Sequence, residues 1–301
     1  MRRPKPFLST ALNSQAPAHK VGGCAQKRGE ITLRRSHPAA EEEDPVIKNI
    51  IFDLGGVVVD YDPKAYLYRQ FNDPELEELL YNVIFGSEEW KQLDAGTITR
   101  ALAEQRMLAA AGRRRYEAQL VLDDWREMMT TRLDTVELIT GLKAAGYHIY
   151  FLSNLPEDVY QLFTERRRFM QLFEGGIPSF SVKLTKPNRK IFDLMLKTYG
   201  LRPEETIFVD DGKENIATAQ KLGLTAIPFK DAMDLHKTLA FLGVAVPAKL
   251  RHAPRPKAPK KTGRWLRRKK RAAAPAADAP QETAPPAVDL PLEDDDEDDD
   301  I

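Results

Sequence analysis

Short apolar runs alternate with amphipathic stretches through the middle of the chain. Four runs have the length of buried strands, at residues 46–52, 148–152, 206–209 and 225–227. The segments between and after them, such as 232–241, place apolar residues three or four positions apart, which predicts helices. Strand and helix in this rhythm indicate a parallel sheet with right-handed crossovers, so we predict an α/β fold with a Rossmann-like core.

One long segment interrupts this alternation. Residues 63–133 are rich in Leu, Ala, Glu and Arg and carry almost no strand signal. We therefore predict an all-helical insert between two strands of one sheet, with Trp90 and Trp125 packed in its interior. Within the insert, Asp94-Ala95-Gly96 predicts a break before a helix over residues 98–111.

Capping and stop signals predict the ends of two further helices. Asp134 and Glu137 are three positions apart, which predicts a capping box at the start of a helix that stops at Gly146. A second helix is predicted over residues 187–199, because Gly200 follows it and glycine commonly ends helices.

The composition changes at both ends of the chain, and this sets the predicted domain boundaries. Residues 1–45 and 247–301 hold few large apolar side chains, so we expect both to be disordered tails. The predicted core combines residues 46–62 and 134–246, and residues 63–133 form a helical cap.

Charge is segregated in the C-terminal tail, although the net charge of the 301-residue chain is zero. Residues 249–271 hold twelve Lys or Arg and no acid, whereas residues 272–301 hold eleven Asp or Glu and no base. The basic run at 257–271 has two interpretations. It contacts nucleic acid or an anionic membrane surface, or it is a solvated tail partly neutralised by the acidic terminus. We favour the second. Oligomeric state does not follow from the sequence.

The cellular setting predicted from the sequence is the cytoplasm. Cys24 is the only cysteine, so the core has neither a disulfide nor a thiolate metal cluster. No apolar run approaches the roughly 18 residues of a membrane span, and the N-terminus lacks the apolar core of a secretion signal. The Arg-containing, nearly acid-free first 36 residues weakly resemble a transit peptide, but we favour a plain extension.

Polar clusters follow the predicted strands or begin helices at four places. They are Asp53 with the Gly55-Gly56 turn, Ser153-Asn154, Lys186-Pro187 and Asp210-Asp211. Singly, each has an ordinary explanation as a helix cap or a solvated helix start. In an open parallel sheet, however, ligands bind at the carboxyl edge of the strands. Together the clusters predict an aspartyl nucleophile beside a metal ion.

The order of these clusters resembles the haloacid dehalogenase-like superfamily of hydrolases over residues 46–243. The matching motifs are Phe52-Asp53-Leu54-Gly55-Gly56-Val57-Val58, Leu152-Ser153-Asn154, Lys186-Pro187-Asn188 and Ile207-Phe208-Val209-Asp210-Asp211. The insert resembles the helical cap of a phosphatase subfamily. The Gly55-Gly56 form, with Asp62 soon after, is most similar to a branch that includes sugar-1-phosphate hydrolases and the phosphatase domain of soluble epoxide hydrolase.

The resemblance implies a Mg²⁺-dependent hydrolase of a small phosphorylated metabolite, with sugar phosphates among the candidate substrates. Asp53 would attack phosphorus and form an aspartyl-phosphate. Asp53, Asp211 and the backbone carbonyl of Gly55 would bind Mg²⁺, a hard ion that prefers oxygen ligands. Asp210 would hold a metal-bound water.

The resemblance also implies how the phosphate is held. Lys186 would neutralise it, while Ser153 and the backbone N–H groups around Asn154 would bind its non-bridging oxygens. Asn215 would orient the loop after the fourth motif.

Gly55 departs from the common pattern of the superfamily, in which a second Asp at this position protonates the leaving oxygen. General acid–base catalysis typically contributes 10² to 10⁴ in rate, so without it the rate should depend strongly on leaving-group acidity. A water, or a nearby acid such as Asp60 or Asp62, would be a substitute, but the sequence does not place either acid in the site. The open alternatives are a metal-independent 2-haloacid dehalogenase, a catalytically weak phosphate-binding protein and a phosphoryl-transferring mutase. The Asp210-Asp211 pair argues against the dehalogenase, which needs no cation site.

Overall fold

A five-stranded parallel sheet organises residues 46–250, the part of the chain that this computed structural model describes. The strands lie in the order β3-β2-β1-β4-β5. Their bounds are β1 Asn49–Phe52, β2 His148–Ser153, β3 Gly175–Pro178, β4 Thr206–Asp210 and β5 Thr225–Pro228. All four residues of β1 are buried between β2 and β4, which explains its continuous apolar pattern. The predicted α/β fold is confirmed.

Helices connect the strands and cover both faces of the sheet. They are α1 Pro63–Gln70, α2 Pro74–Val83, α3 Glu88–Asp94, α4 Arg100–Ala110, α5 Arg115–Asp124, α6 Leu133–Ala144, α7 Glu157–Arg166, α8 Ser179–Val182, α9 Arg189–Tyr199, α10 Lys213–Lys221 and α11 Ala232–Phe241. Short 3₁₀ turns occupy Gly112–Arg114, Trp125–Met128, Arg168–Leu172 and Pro203–Glu205. None of the helices within residues 46–250 is long and apolar enough to cross a bilayer.

The insert after β1 is divided into short helices, and the first four of them each have their own N-terminal cap. Helices α1 to α4 follow a residue whose side-chain oxygen accepts a hydrogen bond from the backbone N–H three positions on. These caps are Asp62, Asp73, Ser87 and Thr99. Each cap satisfies one of the N–H groups that the first turn of a helix leaves without a partner.

Alternate residues of β1 pack against different helices. Ile50 and Phe52 belong to the larger apolar cluster, which also contains both tryptophans of the insert. Ile51 belongs to the second cluster, with Phe192 of α9 and Phe208 of β4. This alternation follows from the two-residue period of a strand, and it fixes the carboxyl end of β1 between two packed layers.

Two predicted helix starts were two residues early, and one predicted cap was wrong. Helices α4 and α9 begin after Thr99 and Asn188, whose side chains cap them. The capping box at Asp134 does not form. Arg132 occupies the cap position of α6 without a side-chain hydrogen bond, and Asp134 lies in the first turn, where it accepts from the N–H of Thr135.

The edge strand β3 was not predicted. It pairs with β2 through a glycine-rich sequence, and a side chain at Gly176 would place its Cβ 2.2 Å from the ring of Phe151. Tyr199 supports this strand from α9, because its hydroxyl accepts from Gly176 N at 2.7 Å and donates to Gly176 O at 3.1 Å. This pairing therefore depends on a tertiary contact.

Several predictions concern residues outside the described range. The N-terminal extension with Cys24, the basic run at 257–271 and the acidic terminus all lie there, and so do most residues of the predicted C-terminal tail.

Candidate active site

Asp53 lies at the carboxyl edge of the sheet, directly after the central strand. Its backbone N–H donates to Val209 O at 2.9 Å, which continues the pairing of β1 with β4. Its carboxylate accepts from the backbone N–H of Leu54 at 2.7 Å and hydrogen-bonds the Ser153 side chain at the end of β2. Three neighbouring strands thus position this carboxylate. Only 8% of the surface of Asp53 is exposed.

Lys186 connects Asp53 to the fourth motif. Its Nζ lies 3.1 Å from Asp53 Oδ1 and 2.5 Å from Asp210 Oδ2. Burial alone would lower the pKa of Lys186, but the two carboxylates raise it above its ordinary value, so the side chain stays charged. Asn154 positions the lysine: its Nδ2 donates to Lys186 O at 2.9 Å, and its Oδ1 accepts from Lys186 N at 2.8 Å.

Asp210 is fully buried, and both of its carboxylate oxygens accept hydrogen bonds. Oδ2 accepts from Lys186, while Oδ1 accepts from Gly212 N at 2.7 Å and from Asn215 Nδ2 at 2.8 Å. This set of partners organises the loop after β4. Asn215 therefore contacts Asp210 directly. The sequence predicted that Asn215 supports this loop, and its effect on the reaction stays a prediction.

Gly56 allows Asp211 to approach the Asp53 loop. A Cβ at position 56 would lie 2.0 Å from Asp211 Oδ2, and the φ of Gly56 is +76°. Both observations exclude a side chain here without rearrangement. Gly55 is different, because a Cβ there would meet only Tyr61 Cβ at 3.8 Å, an ordinary van der Waals contact. Of the two glycines, only Gly56 is sterically required.

The cluster of Asp53, Asp210 and Asp211 carries more negative charge than the protein around it compensates. Each offers a carboxylate oxygen, and these atoms lie within 4.8 Å of one another, with Lys186 as the cation in contact. The pKa of Asp53 is raised to about 7, mainly by burial. Lys186 opposes this rise, and Asp210 adds to it. Burial and Asp210 also raise the pKa of Asp211. Three oxygen donors with excess negative charge fit a hard divalent cation such as Mg²⁺.

A cavity of about 60 Å³ lies beside this cluster. On one side it is lined by Gly55, Ser153 and Asn154; on the other it is lined mainly by residues of the insert and its ends, Tyr61, Trp90, Asp94, Trp125 and Met129. The two tryptophan rings pack edge to face with centroids 4.8 Å apart. Both are buried as predicted, and both also line the cavity.

Asp94 is the cavity residue that sequence reasoning missed. The sequence marked it only as a break between helices, and nothing in its local pattern indicates proximity to Gly55. The proposed substitutes are held elsewhere: Asp60 contacts Arg132 at 2.8 Å and Thr130 Oγ1 at 2.5 Å, and Asp62 caps α1.

Two arginines bind one carboxylate of α7 at the boundary between the insert and the sheet. Arg100 on α4 donates to Asp158 Oδ1 at 2.9 Å, and Arg126 donates to Asp158 Oδ2. Burial alone would raise the pKa of Asp158, but hydrogen bonds and charges from both arginines outweigh burial and hold it below its ordinary value. This three-residue clamp links two segments of the insert to α7.

Comparison with known proteins places the chain in a family. A family model described as haloacid dehalogenase-like hydrolase matches residues 47–223. The chain belongs to this family of hydrolases. It is 28% identical over 214 residues to the D-ribitol-5-phosphate phosphatase of Bacteroides thetaiotaomicron, an alignment that covers 65% of this chain and 98% of the relative.

Two further similarities agree with this family. The chain is 25% identical over 186 residues to a sesquiterpene phosphatase of Aspergillus oryzae, covering 62% of this chain and 91% of the relative. A solved structure from Porphyromonas gingivalis, described as a predicted HAD-like (haloacid dehalogenase-like) family hydrolase, has a TM-score of 0.51 and 23% identity, covering 66% of this chain and 99% of the other. That structure supports the fold of this haloacid dehalogenase-like hydrolase.

Proposed function

We propose that this haloacid dehalogenase-like hydrolase is a Mg²⁺-dependent phosphatase that acts on a small phosphorylated metabolite. The observation that carries the proposal is the buried Asp53 carboxylate, which lies against Lys186 within a cluster of excess negative charge. Two relatives described as phosphatases support it, one for D-ribitol 5-phosphate and one for a sesquiterpene. Their named substrates differ in polarity, so the shared feature is the phosphate ester rather than the alcohol.

The reaction would proceed in two displacements at phosphorus. A carboxylate oxygen of Asp53 forms a bond to phosphorus as the bond to the leaving oxygen breaks, and the leaving oxygen takes up a proton, which gives an aspartyl-phosphate and the alcohol. Water then attacks phosphorus, releases phosphate and restores Asp53. Lys186 and the Ser153 hydroxyl bind the phosphoryl oxygens as charge builds on them.

The residues that would hold Mg²⁺ are Asp53, Asp211 and the backbone carbonyl of Gly55. Asp210 would contribute through a water, because its own two oxygens already accept hydrogen bonds from the protein. When bound, Mg²⁺ supplies positive charge that reduces the repulsion between the carboxylates and a phosphate dianion.

A substrate panel tests the proposal. Purified protein would be assayed against phosphorylated sugars, polyols, nucleotides and apolar alcohols, and against 2-haloacids, each with Mg²⁺ and with a chelator. We expect phosphate release that requires Mg²⁺. Metal-independent turnover of a 2-haloacid would instead identify a dehalogenase, and phosphate binding without turnover would identify a binding protein.

We predict unequal effects when Asp211 and Asp210 are replaced by asparagine. Asp211 is exposed, so Asp211→Asn should leave the melting temperature unchanged. It should raise the Mg²⁺ concentration for half-maximal activity more than about 100-fold, because loss of a residue that only supports a metal ligand typically changes metal affinity 10- to 100-fold. Asp210→Asn should have the smaller effect on Mg²⁺ and the larger effect on stability, because an amide N–H₂ would face the buried ammonium of Lys186. Mg²⁺ titrations and thermal melts measure both. Equal or reversed Mg²⁺ effects would contradict the assignment.

A further inference from the structure

Asp94 is a carboxylate whose position has no structural explanation. It is the last residue of α3, where the partial negative charge of the helix end disfavours an anion. Among the described residues that line the cavity it is the single acid, and most of the others are aromatic or aliphatic. No residue within 46–250 donates a hydrogen bond to the Asp94 side chain, although the backbone carbonyl of Asp94 accepts one from Ser179. A group placed at such cost commonly serves function rather than stability.

The surroundings of Asp94 favour its protonated form near neutral pH. Burial raises the pKa of Asp94 to about 7, Arg100 opposes this rise, and the charge of Asp53 adds to it. Tyr61, in the loop before α1, is a further titratable group near Asp94, and burial raises the pKa of Tyr61 so that it stays neutral. A carboxylic acid with a pKa near the working pH is suited to proton transfer.

The backbone of Asp94 is fixed relative to the loop that follows Ser153, the last residue of β2. The Ser179 hydroxyl donates to Asp94 O and accepts from Leu155 N at 3.0 Å, and Leu155 lies two residues after Ser153. The turn after α3 is also held, because Lys183 Nζ donates to Gly96 O. These contacts bridge the end of α3 to the phosphate-binding edge proposed above.

Gly96 makes this close docking possible. Its φ is +62°, and a Cβ there would lie 2.5 Å from the backbone oxygen of Phe180. Only glycine fits such a contact without strain. The end of α3 is therefore placed against the core by backbone geometry as well as by side chains.

We propose that Asp94 is the general acid that protonates the leaving oxygen. It would replace the acid that most members of the superfamily carry at the position of Gly55. This inference rests on the proposed function, with Asp53 as nucleophile. In the first displacement the Asp94 carboxyl gives its proton to the oxygen whose bond to phosphorus breaks. In the second, the Asp94 carboxylate takes a proton from the water that attacks the aspartyl-phosphate, which restores the acid. The wild-type rate should then depend only weakly on leaving-group acidity, contrary to the expectation from Gly55 alone.

The test compares Asp94→Asn with wild type on a series of substituted phenyl phosphates and on alkyl phosphates. For alkyl phosphates, whose leaving oxygens need a proton, kcat/KM should fall about 10²- to 10⁴-fold. For 4-nitrophenyl phosphate it should fall less than about tenfold, so the dependence on leaving-group acidity becomes steep. The matched control is Glu88→Gln, an exposed acid on the same helix, which should keep the wild-type dependence.

A rescue variant keeps the proposal testable whatever Asp94→Asn does to folding. Position 55 tolerates a Cβ, so adding Gly55→Asp to Asp94→Asn should restore alkyl phosphate hydrolysis and flatten the dependence. An equal loss on all substrates, an unchanged profile, or no rescue in a folded double variant would overturn the role of Asp94. If turnover in each case still requires Asp53, the proposed function stands. Wild-type turnover that does not require Asp53 would overturn both.

Discussion

Replacing Asp53 by asparagine is expected to reduce hydrolysis of every phosphate monoester to the background rate, a loss of at least about 10³-fold in kcat. The amide keeps the shape of the carboxylate and can still accept the hydrogen bond from Leu54 N, but it is not a nucleophile toward phosphorus. Single-turnover assays should detect no covalent phosphoprotein in this variant, whereas wild-type protein quenched in acid should carry one.

The loss should not reflect unfolding. The substitution removes one negative charge from the cluster with Asp210 and Asp211, so we expect a melting temperature no lower than that of wild type. Asp193→Asn, at an exposed position on α9, is the matched control and should retain full activity. A rate above a few per cent of wild type in Asp53→Asn would exclude Asp53 as the nucleophile.

Gly56→Ala is expected to raise the Mg²⁺ requirement by 10-fold or more, since displaced metal-site residues typically have effects of this size. The new methyl group would lie 2.0 Å from Asp211 Oδ2, far closer than the two atoms can approach, so Asp211 has to rotate away. A non-glycine residue at a φ of +76° also costs about 1 to 2 kcal/mol. Mg²⁺ titration of activity and a thermal melt would measure the two effects.

Gly55→Ala is the matched control for this prediction. The same methyl group one residue earlier meets only Tyr61 Cβ at 3.8 Å, and no positive φ is required of Gly55. We expect its Mg²⁺ requirement to stay within about threefold of wild type, a difference of less than 1 kcal/mol. Equal Mg²⁺ requirements in the two variants would show that the approach of Asp211 to Gly56 does not matter for metal binding.

The arrangement of the sheet was predictable because local signals and topology agree. The apolar run before Asp53 and the glycine turn after it are both visible in the sequence, and parallel strands bring their carboxyl ends to one edge. Helices α4 and α9 were predicted two residues early because Thr99 and Asn188 act as caps. Strand β3 was missed because its pairing relies on Tyr199, which is distant in sequence.

The candidate site divides along the same line. Asp53, Lys186 and Asp210 could be brought together from the sequence, since each adjoins a strand or helix end of the sheet. Asp94 could not, because its place in the cavity depends on how the short helices of the insert pack. Asn154 is an intermediate case: its position was predicted, but its side chain binds the Lys186 backbone in both directions, which only the folded loops reveal.

The clamp at Asp158 and the acid at Asp94 make the folded state respond to protons in opposite directions. The folded-state pKa of Asp158 is depressed, so its stabilising contribution is complete above the ordinary Asp range and is lost as pH falls through its folded-state pKa. The pKa of Asp94 is raised, so its contribution is complete below the ordinary range and is lost as pH rises toward about 7. Acid therefore releases Arg100 and Arg126 together, while neutral pH weakens the end of α3. These two groups together favour the folded protein most near the ordinary pKa of Asp, where the contribution of Asp158 is complete and that of Asp94 has not yet been lost.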